Sequence, residues 1–281
     1  MNLFHVIILA LIQGLTEFIP VSSSAHLILP SQLIESWPDQ GIDFDIAVHF
    51  GTLLAVVLFF RKDIILMIKS LFALVFGKGE VNNEYARLAI FIIIATIPVG
   101  LMGIILKDYI EGYARSGILI GLTTIIFGAL LFFAERYNKR FFNKSLENTK
   151  EINEKGYHTL TFKRAIYIGL AQVLAIIPGT SRSGITMTAG YFLGLSPSMA
   201  AKFSFLLSIP TIGASALLAT KDIIENGTSI PLMYLIVGVV VSFICAFIVI
   251  KLFLDFLTKV GLLPYVIYRL ILGAILLIVF W

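Results

Sequence analysis

Charge is scarce in this chain of 281 residues: Asp, Glu, Lys and Arg together make up only 14% of it. Apolar residues reach 58% and the mean hydropathy is +0.96. A soluble domain has an apolar share of about 45–50%, so the composition excludes one and leaves a polytopic helical membrane protein. Cysteine is nearly missing too. The lone Cys245 lies in an apolar run, which rules out a disulfide framework and a cysteine zinc site. The net charge of +4 comes with no long basic tract; the positive residues sit in short loops, where the positive-inside rule accounts for them, and no nucleic-acid partner is expected. A secretory leader is not evident either. The stretch from Met1 to Leu15 lacks a basic start and runs straight into Glu17 and Pro20, so it reads as mature structure.

The apolar segments that are present fall into two halves. Residues 1–34 hold two apolar pieces, each shorter than the roughly 20 residues needed to cross a hydrocarbon core, and read as a re-entrant helix–loop–helix. Backbone that leaves helical geometry at membrane depth must line a cavity or be buried in protein. Three spans are expected after it, at about 44–60, 86–106 and 117–134, with an interfacial helix over 64–76. The only long hydrophilic stretch, 135–164, reads as a cytoplasmic linker. Residues 165–194 then repeat the opening, and spans are expected at about 200–219, 231–250 and 264–281. Each half has an odd number of spans, so the second half, 165–281, is inverted relative to the first, 1–134. This is the inverted-repeat plan with its site at the repeat interface. The fold class is an all-α polytopic membrane protein in one integrated domain.

Charge sets an expected orientation. The side receiving Arg61, Lys62, Lys69, Lys78 and the basic residues of 135–164 should be cytoplasmic, which turns both termini outward. One re-entrant pair then enters from each side and their tips meet.

Two polar loops interrupt the apolar pattern. The first is Gln13-Gly-Leu-Thr-Glu-Phe-Ile-Pro-Val-Ser-Ser-Ser-Ala-His26, and the second is Pro178-Gly-Thr-Ser-Arg-Ser-Gly184. Ionisable groups at membrane depth are costly and usually functional. Gln13 and Glu17 are four apart and share a helix face; through oxygen they could hold a hard cation such as Mg²⁺ or Ca²⁺, with substrate phosphate completing the shell. The bland alternative is a buried Glu17 bonded to the serine loop. Ser22, Ser23 and Ser24 include one helix N-cap, but three hydroxyls exceed what capping requires. His26 follows Ser23 by three residues, within reach of a Ser–His pair that would activate the hydroxyl. His49 is weighed first as structural, and His5 and His158 as surface or interfacial. In the second loop, a helix N-terminus near Gly184 and the Arg182 guanidinium form an anion trap. Gly179, Thr180, Ser181, Ser183 and Thr186 supply further hydrogen bonds, and the competing role for Arg182 is an ion-pair partner of Glu17.

The motifs GLTEFIPVSSSAH and PGTSRSGIT resemble the two signature regions of the undecaprenyl pyrophosphate phosphatase family (UppP, also called BacA, bacitracin-resistance protein). The similarity extends to Phe203–Leu207 and the terminal Tyr268-Arg269 pair. It implies a multi-pass bacterial inner-membrane hydrolase that converts undecaprenyl diphosphate to the monophosphate and phosphate, recycling the carrier for peptidoglycan. An outward-facing site and a homodimer are implied with it. Carried over by motif, the family's acidic pair falls on Gln13 and Glu17, its serine and histidine on Ser23 and His26, and its phosphate-binding arginine on Arg182. The sequence departs from the pattern at Gln13, where an acid is usual, and at Ala25, where glycine is. The expected mechanism has Ser23 attacking the terminal phosphorus with His26 as its base, although a histidine nucleophile or an activated water fits equally well. The rival function is a transporter or flippase of a polyprenyl-phosphate-type lipid anion, which needs no nucleophile beside a base. Intramembrane peptide hydrolysis would leave Arg182 without a task.

Overall fold

The computed structural model describes residues 1–77, 79–80, 83–106, 116–148, 160–228 and 230–281, with the side chains of 141–148 and of four positions between 219 and 226 excepted. Lys78, Lys107, Asp108, Glu111, Arg115 and His158 lie outside the described residues, as does the middle of the linker.

Among the described residues the chain is all helical: α1 (Leu3–Thr16), α2 (Ser23–Leu33), α3 (Gly41–Phe59), α4 (Arg61–Val75), α5 (Glu84–Ile105) and α6 (Gly117–Asn148) come first. The second part runs α7 (Phe162–Val173), a 3₁₀ turn (Leu174–Ile176), α8 (Arg182–Phe192), α9 (Pro197–Asn226), α10 (Leu232–Val260) and α11 (Leu263–Phe280). Six of these, α3, α5, α6, α9, α10 and α11, are long and apolar enough to cross a membrane. The four helices α1, α2, α7 and α8 have 14, 11, 12 and 11 residues. At about 1.5 Å per residue they fall short of a core of about 30 Å. The protein is a polytopic helical membrane protein with two broken helix pairs.

Local chemistry starts these helices. Asn2, Asn83, Thr161, Ser181 and Ser196 each accept a backbone N–H at an N-terminus, and Pro197 follows Ser196 at the first helical position. His5, read as a surface or interfacial residue, completes a capping box with Asn2. The short helices pack crosswise, α1 against α10 and α7 against α5, while α3 packs on α9 and α6 on α11. Helices α3 and α9 run antiparallel and are tied at both ends. Lys202 of α9 bonds Asp63, just past the end of α3, at 2.8 Å, and Thr228 bonds Asp43 at the start of α3 at 2.6 Å.

The expected boundary at residue 134 differs from the observed one. Helix α6 continues to Asn148, through the first half of the stretch read as a linker. Two buried polar residues explain the continuation. Glu135 accepts the Leu262 N–H at 3.0 Å at the start of α11 and pairs with Lys139 at 2.9 Å. Asn138 donates to the Tyr191 and Leu195 carbonyls, both at 3.0 Å, closing the end of α8. Polar residues that read as solvent-facing therefore serve the ends of other helices. Replacing Glu135 by Ala leaves the Leu262 N–H without its acceptor and should lower stability by about 1–3 kcal/mol, measured as thermal unfolding in detergent.

Candidate active site

Both polar loops are built the same way. Ser22 has φ 75° and Ser181 φ 69°, the two positive-φ residues other than glycine among the described residues, and each sits immediately before a short helix. Such a backbone costs about 1–3 kcal/mol and persists only where the surroundings over-determine it. The hydroxyls repeat as well: Ser22 Oγ lies 3.3 Å from Ser24 Oγ, and Ser181 Oγ 3.2 Å from Ser183 Oγ. Ser23 and Arg182 consequently occupy matching places as the first residues of α2 and α8. One similarity stops there. Ser181 Oγ caps Gly184 N–H at 3.1 Å, whereas Ser22 at the N-cap of α2 makes no side-chain cap, contrary to expectation.

The loops are held tip to tip. Ser183 Oγ donates to the Ile19 carbonyl at 3.1 Å. Arg269 of α11, with 0% exposure, reaches both tips: Nη1 donates to Pro20 O at 3.1 Å, Nη2 to Gly179 O at 2.9 Å and Nε to Thr124 O at 3.2 Å. A broken helix leaves carbonyls unpaired, and the guanidinium fork satisfies two breaks at once. Gly179 is required where it stands, with φ +85° and no room for a Cβ beside Thr123 Oγ1 and the Ile120 carbonyl. Thr123 Oγ1 bonds Pro178 O at 2.6 Å.

A cavity of about 290 Å³ opens over these tips, and Glu17, Ser23, Asp45, His49 and Arg182 line its polar side. Glu17 is the hub. Its Oε1 accepts from Arg182 Nη2 at 2.8 Å, and its Oε2 accepts from Ser23 Oγ at 2.6 Å and Gln13 Nε2 at 3.0 Å. His49 Nε2 lies 3.5 Å from the same Oε2, and its Nδ1 donates to Asp45 O at 2.6 Å, which fixes the ring. Arg182 Nη1 donates to Ser204 O at 3.1 Å; two bonds out of five N–H donors leave capacity for an anion.

The expected Ser23–His26 hydrogen bond does not form. His26 Nδ1 donates to the Ser22 carbonyl at 2.7 Å and Nε2 meets Tyr268 Oη at 2.6 Å, so both nitrogens are engaged away from the serine. The helical turn from Ser23 to His26 carries the ring to the α11 side, and the Ser23 hydroxyl turns to Glu17 instead. Gln13 is fully buried behind Glu17 and donates to it; its Oε1 has no partner. Ser22, Ser24 and Ser181 line the cavity. Thr180 is buried with its Oγ1 unpartnered, Gly179 is occupied with Arg269, and Thr186 Oγ1 meets Ser204 Oγ at 2.7 Å and the Arg182 carbonyl at 2.8 Å. These three serve the loop's interior rather than the cavity.

The sequence profile of the Bacitracin resistance protein BacA family matches residues 6–275. The chain belongs to the BacA family. It is also 48% identical to an undecaprenyl-diphosphatase from Alteromonas mediterranea, over 277 residues that cover 99% of this chain and 98% of that protein. The BacA match spans both polar loops, residues 13–26 and 178–184, and Arg269. Sequence reading underrated His49, which a four-residue offset from Asp45 places on the cavity side of α3. Arg269, noted only as part of a motif, is a guanidinium deep in an apolar span, and that alone signals a task.

In this BacA protein Arg269→Lys keeps the charge but cannot reach three carbonyls at once. Thermal unfolding should show a loss of about 2–5 kcal/mol, the cost of leaving one or two buried acceptors unpaired.

Proposed function

We propose that this protein is an undecaprenyl-diphosphatase whose Ser23 attacks the terminal phosphorus with Glu17, not His26, as the base. The single observation that carries the mechanism is the 2.6 Å bond from Ser23 Oγ to Glu17 Oε2, at the wall of a cavity that Arg182 also lines. The family and the near full-length relative carry the substrate.

In the reaction, a bond forms between Ser23 Oγ and the terminal phosphorus as the Ser23 proton passes to Glu17 Oε2. The bond from that phosphorus to the bridging oxygen breaks, releasing undecaprenyl phosphate, and water then hydrolyses the phosphoserine to inorganic phosphate. Arg182 has two duties here. It orients Glu17 through Oε1 and presents its remaining donors to the equatorial oxygens, where charge develops. The hydrogen bond from Gln13 holds the other edge of the carboxylate.

A divalent cation belongs to the same proposal. Glu17 and Asp45 both line the cavity, and Mg²⁺ is commonly held by one or two carboxylates together with substrate phosphates. When bound it would supply neutralisation of the diphosphate charge. Gln13 is set back from the cavity, so its part is to hold Glu17.

The outward orientation has support from charge. Arg61, Lys62, Arg136, Lys139, Arg140, Lys163 and Arg164 gather at the ends of α3 and α6 and the start of α7, whereas the cavity uses the first half of α3 and the second half of α9. By the positive-inside rule the cavity then faces the periplasm, as do both termini. The inverted repeat is supported by the matching crosswise pairs, α1 with α10 and α7 with α5, and by the two positive-φ serines.

Purified protein in detergent, given undecaprenyl diphosphate, should release phosphate, and Ser23→Ala should lower kcat by a factor of about 10² or more. A wild type that releases none sinks the phosphatase reading. A Ser23→Ala variant with near normal turnover sinks only the serine nucleophile. Asp45→Asn removes one of the two cavity carboxylates; titrating Mg²⁺ should show a weaker cation affinity than in wild type, and an unchanged titration would remove the cation from the proposal.

A further inference from the structure

The same cavity has a second, apolar wall, and it does not belong to the phosphate chemistry. Ala175 of the 3₁₀ turn, Ile46 of α3 and Ile212 and Ala216 of α9 make up the apolar part of its lining. The cavity lies between α3 and α9, which both contribute to its lining. Lower down, Gly213 lies close to Leu53, whose Cδ2 would be 3.9 Å from a Cβ placed there. Nearby, Asp45 and His49 of α3 and Ser215 and Ala216 of α9 line the same cavity.

A volume of about 290 Å³ is at the low end of what a drug-sized ligand fills. It has room for a diphosphate and the first part of a polyprenyl chain, so the remaining isoprene units must leave. The apolar part of the lining offers them a compatible way out. Ala175 is half-buried, and its neighbours Leu174 and Ile177 are 40% and 37% exposed. The 3₁₀ turn sits at the tip of a broken helix pair at membrane depth, where exposed apolar side chains face lipid. On α9, Ser215 is exposed although it lines the cavity. Thr211, which also lines the cavity, donates through Oγ1 to Gln172 Oε1 at 3.5 Å and joins α9 to α7.

We infer that the gap between the 3₁₀ turn and α9, flanked by Ala175 and Ser215, is the portal through which the substrate's polyprenyl chain passes from the cavity into the bilayer. The inference rests on the lipid-diphosphatase reading of the site. Small side chains at these two positions keep the gap open, and the chain crosses from protein to lipid without meeting water, which hydrophobic burial favours. Ala175 and Ser215 are therefore determinants of chain length and carry no part of the phosphoryl transfer.

The test compares undecaprenyl diphosphate with a short, water-soluble polyprenyl diphosphate such as farnesyl diphosphate, on the intact protein in detergent. Ala175→Trp and Ser215→Trp should each reduce kcat/KM for the long substrate about tenfold more than for the short one, mainly through KM. Ile278→Trp, on an exposed face of α11 outside the cavity lining, should leave the ratio at its wild-type value. Equal losses for both substrates, or none, in the Ser215 variant overturn the portal; Ser215 is exposed, so that variant decides the matter even where Ala175→Trp fails to fold. A wild type inert toward both substrates would instead be a failure of the phosphatase reading.

Discussion

A buried arginine that spends its donors on backbone is the constraint from which the site follows. Arg269 contributes a positive charge to the interior of an apolar bundle, and its three bonds all end on carbonyls, one from α6 and one from each broken loop. Breaking a helix at membrane depth strands carbonyl groups where no bulk water can reach them. Burying a guanidinium is equally unfavourable when it lacks acceptors. Each problem offsets the other, and the geometry of the fork sets how near the two tips come. With the tips fixed, Ser183 reaches Ile19 and Arg182 reaches Glu17.

Glu17 then gathers what the loops deliver. Gln13 reaches it from one turn earlier in its own helix, Ser23 from the far side of the break, Arg182 from the second loop and His49 from α3. A carboxylate held by three donors is preorganised, and little rearrangement is needed at the moment of proton transfer. The strained backbone at Ser22 and Ser181 belongs to the same arrangement, because the turn made there points Ser23 and Arg182 at one carboxylate.

Much of this was legible in the residues. Interrupted apolar runs announced the broken helix pairs, since a piece of about ten residues cannot span a bilayer, and the six spans follow from length and hydropathy. Glu17, Ser23 and Arg182 stood out as polar groups in apolar surroundings, and the structure brings them together. What sequence spacing misjudged was direction. A three-residue offset makes Ser23 and His26 neighbours along α2, but the chain enters that helix through a left-handed serine, which turns the hydroxyl toward α1 and the imidazole toward Tyr268. Tertiary partners were invisible for the same reason. Nothing local in Glu135 or Asn138 says that they close the ends of α11 and α8, and nothing local in Arg269 says which carbonyls it meets.

The ties at the two ends of the α3–α9 pair have a mechanical meaning. With Asp63 joined to Lys202 at one end and Asp43 to Thr228 at the other, the two helices are pinned like the two limbs of a clasp. Rocking one helix past the other, to expose the contents first to one side of the membrane and then to the other, would have to break one of these ties.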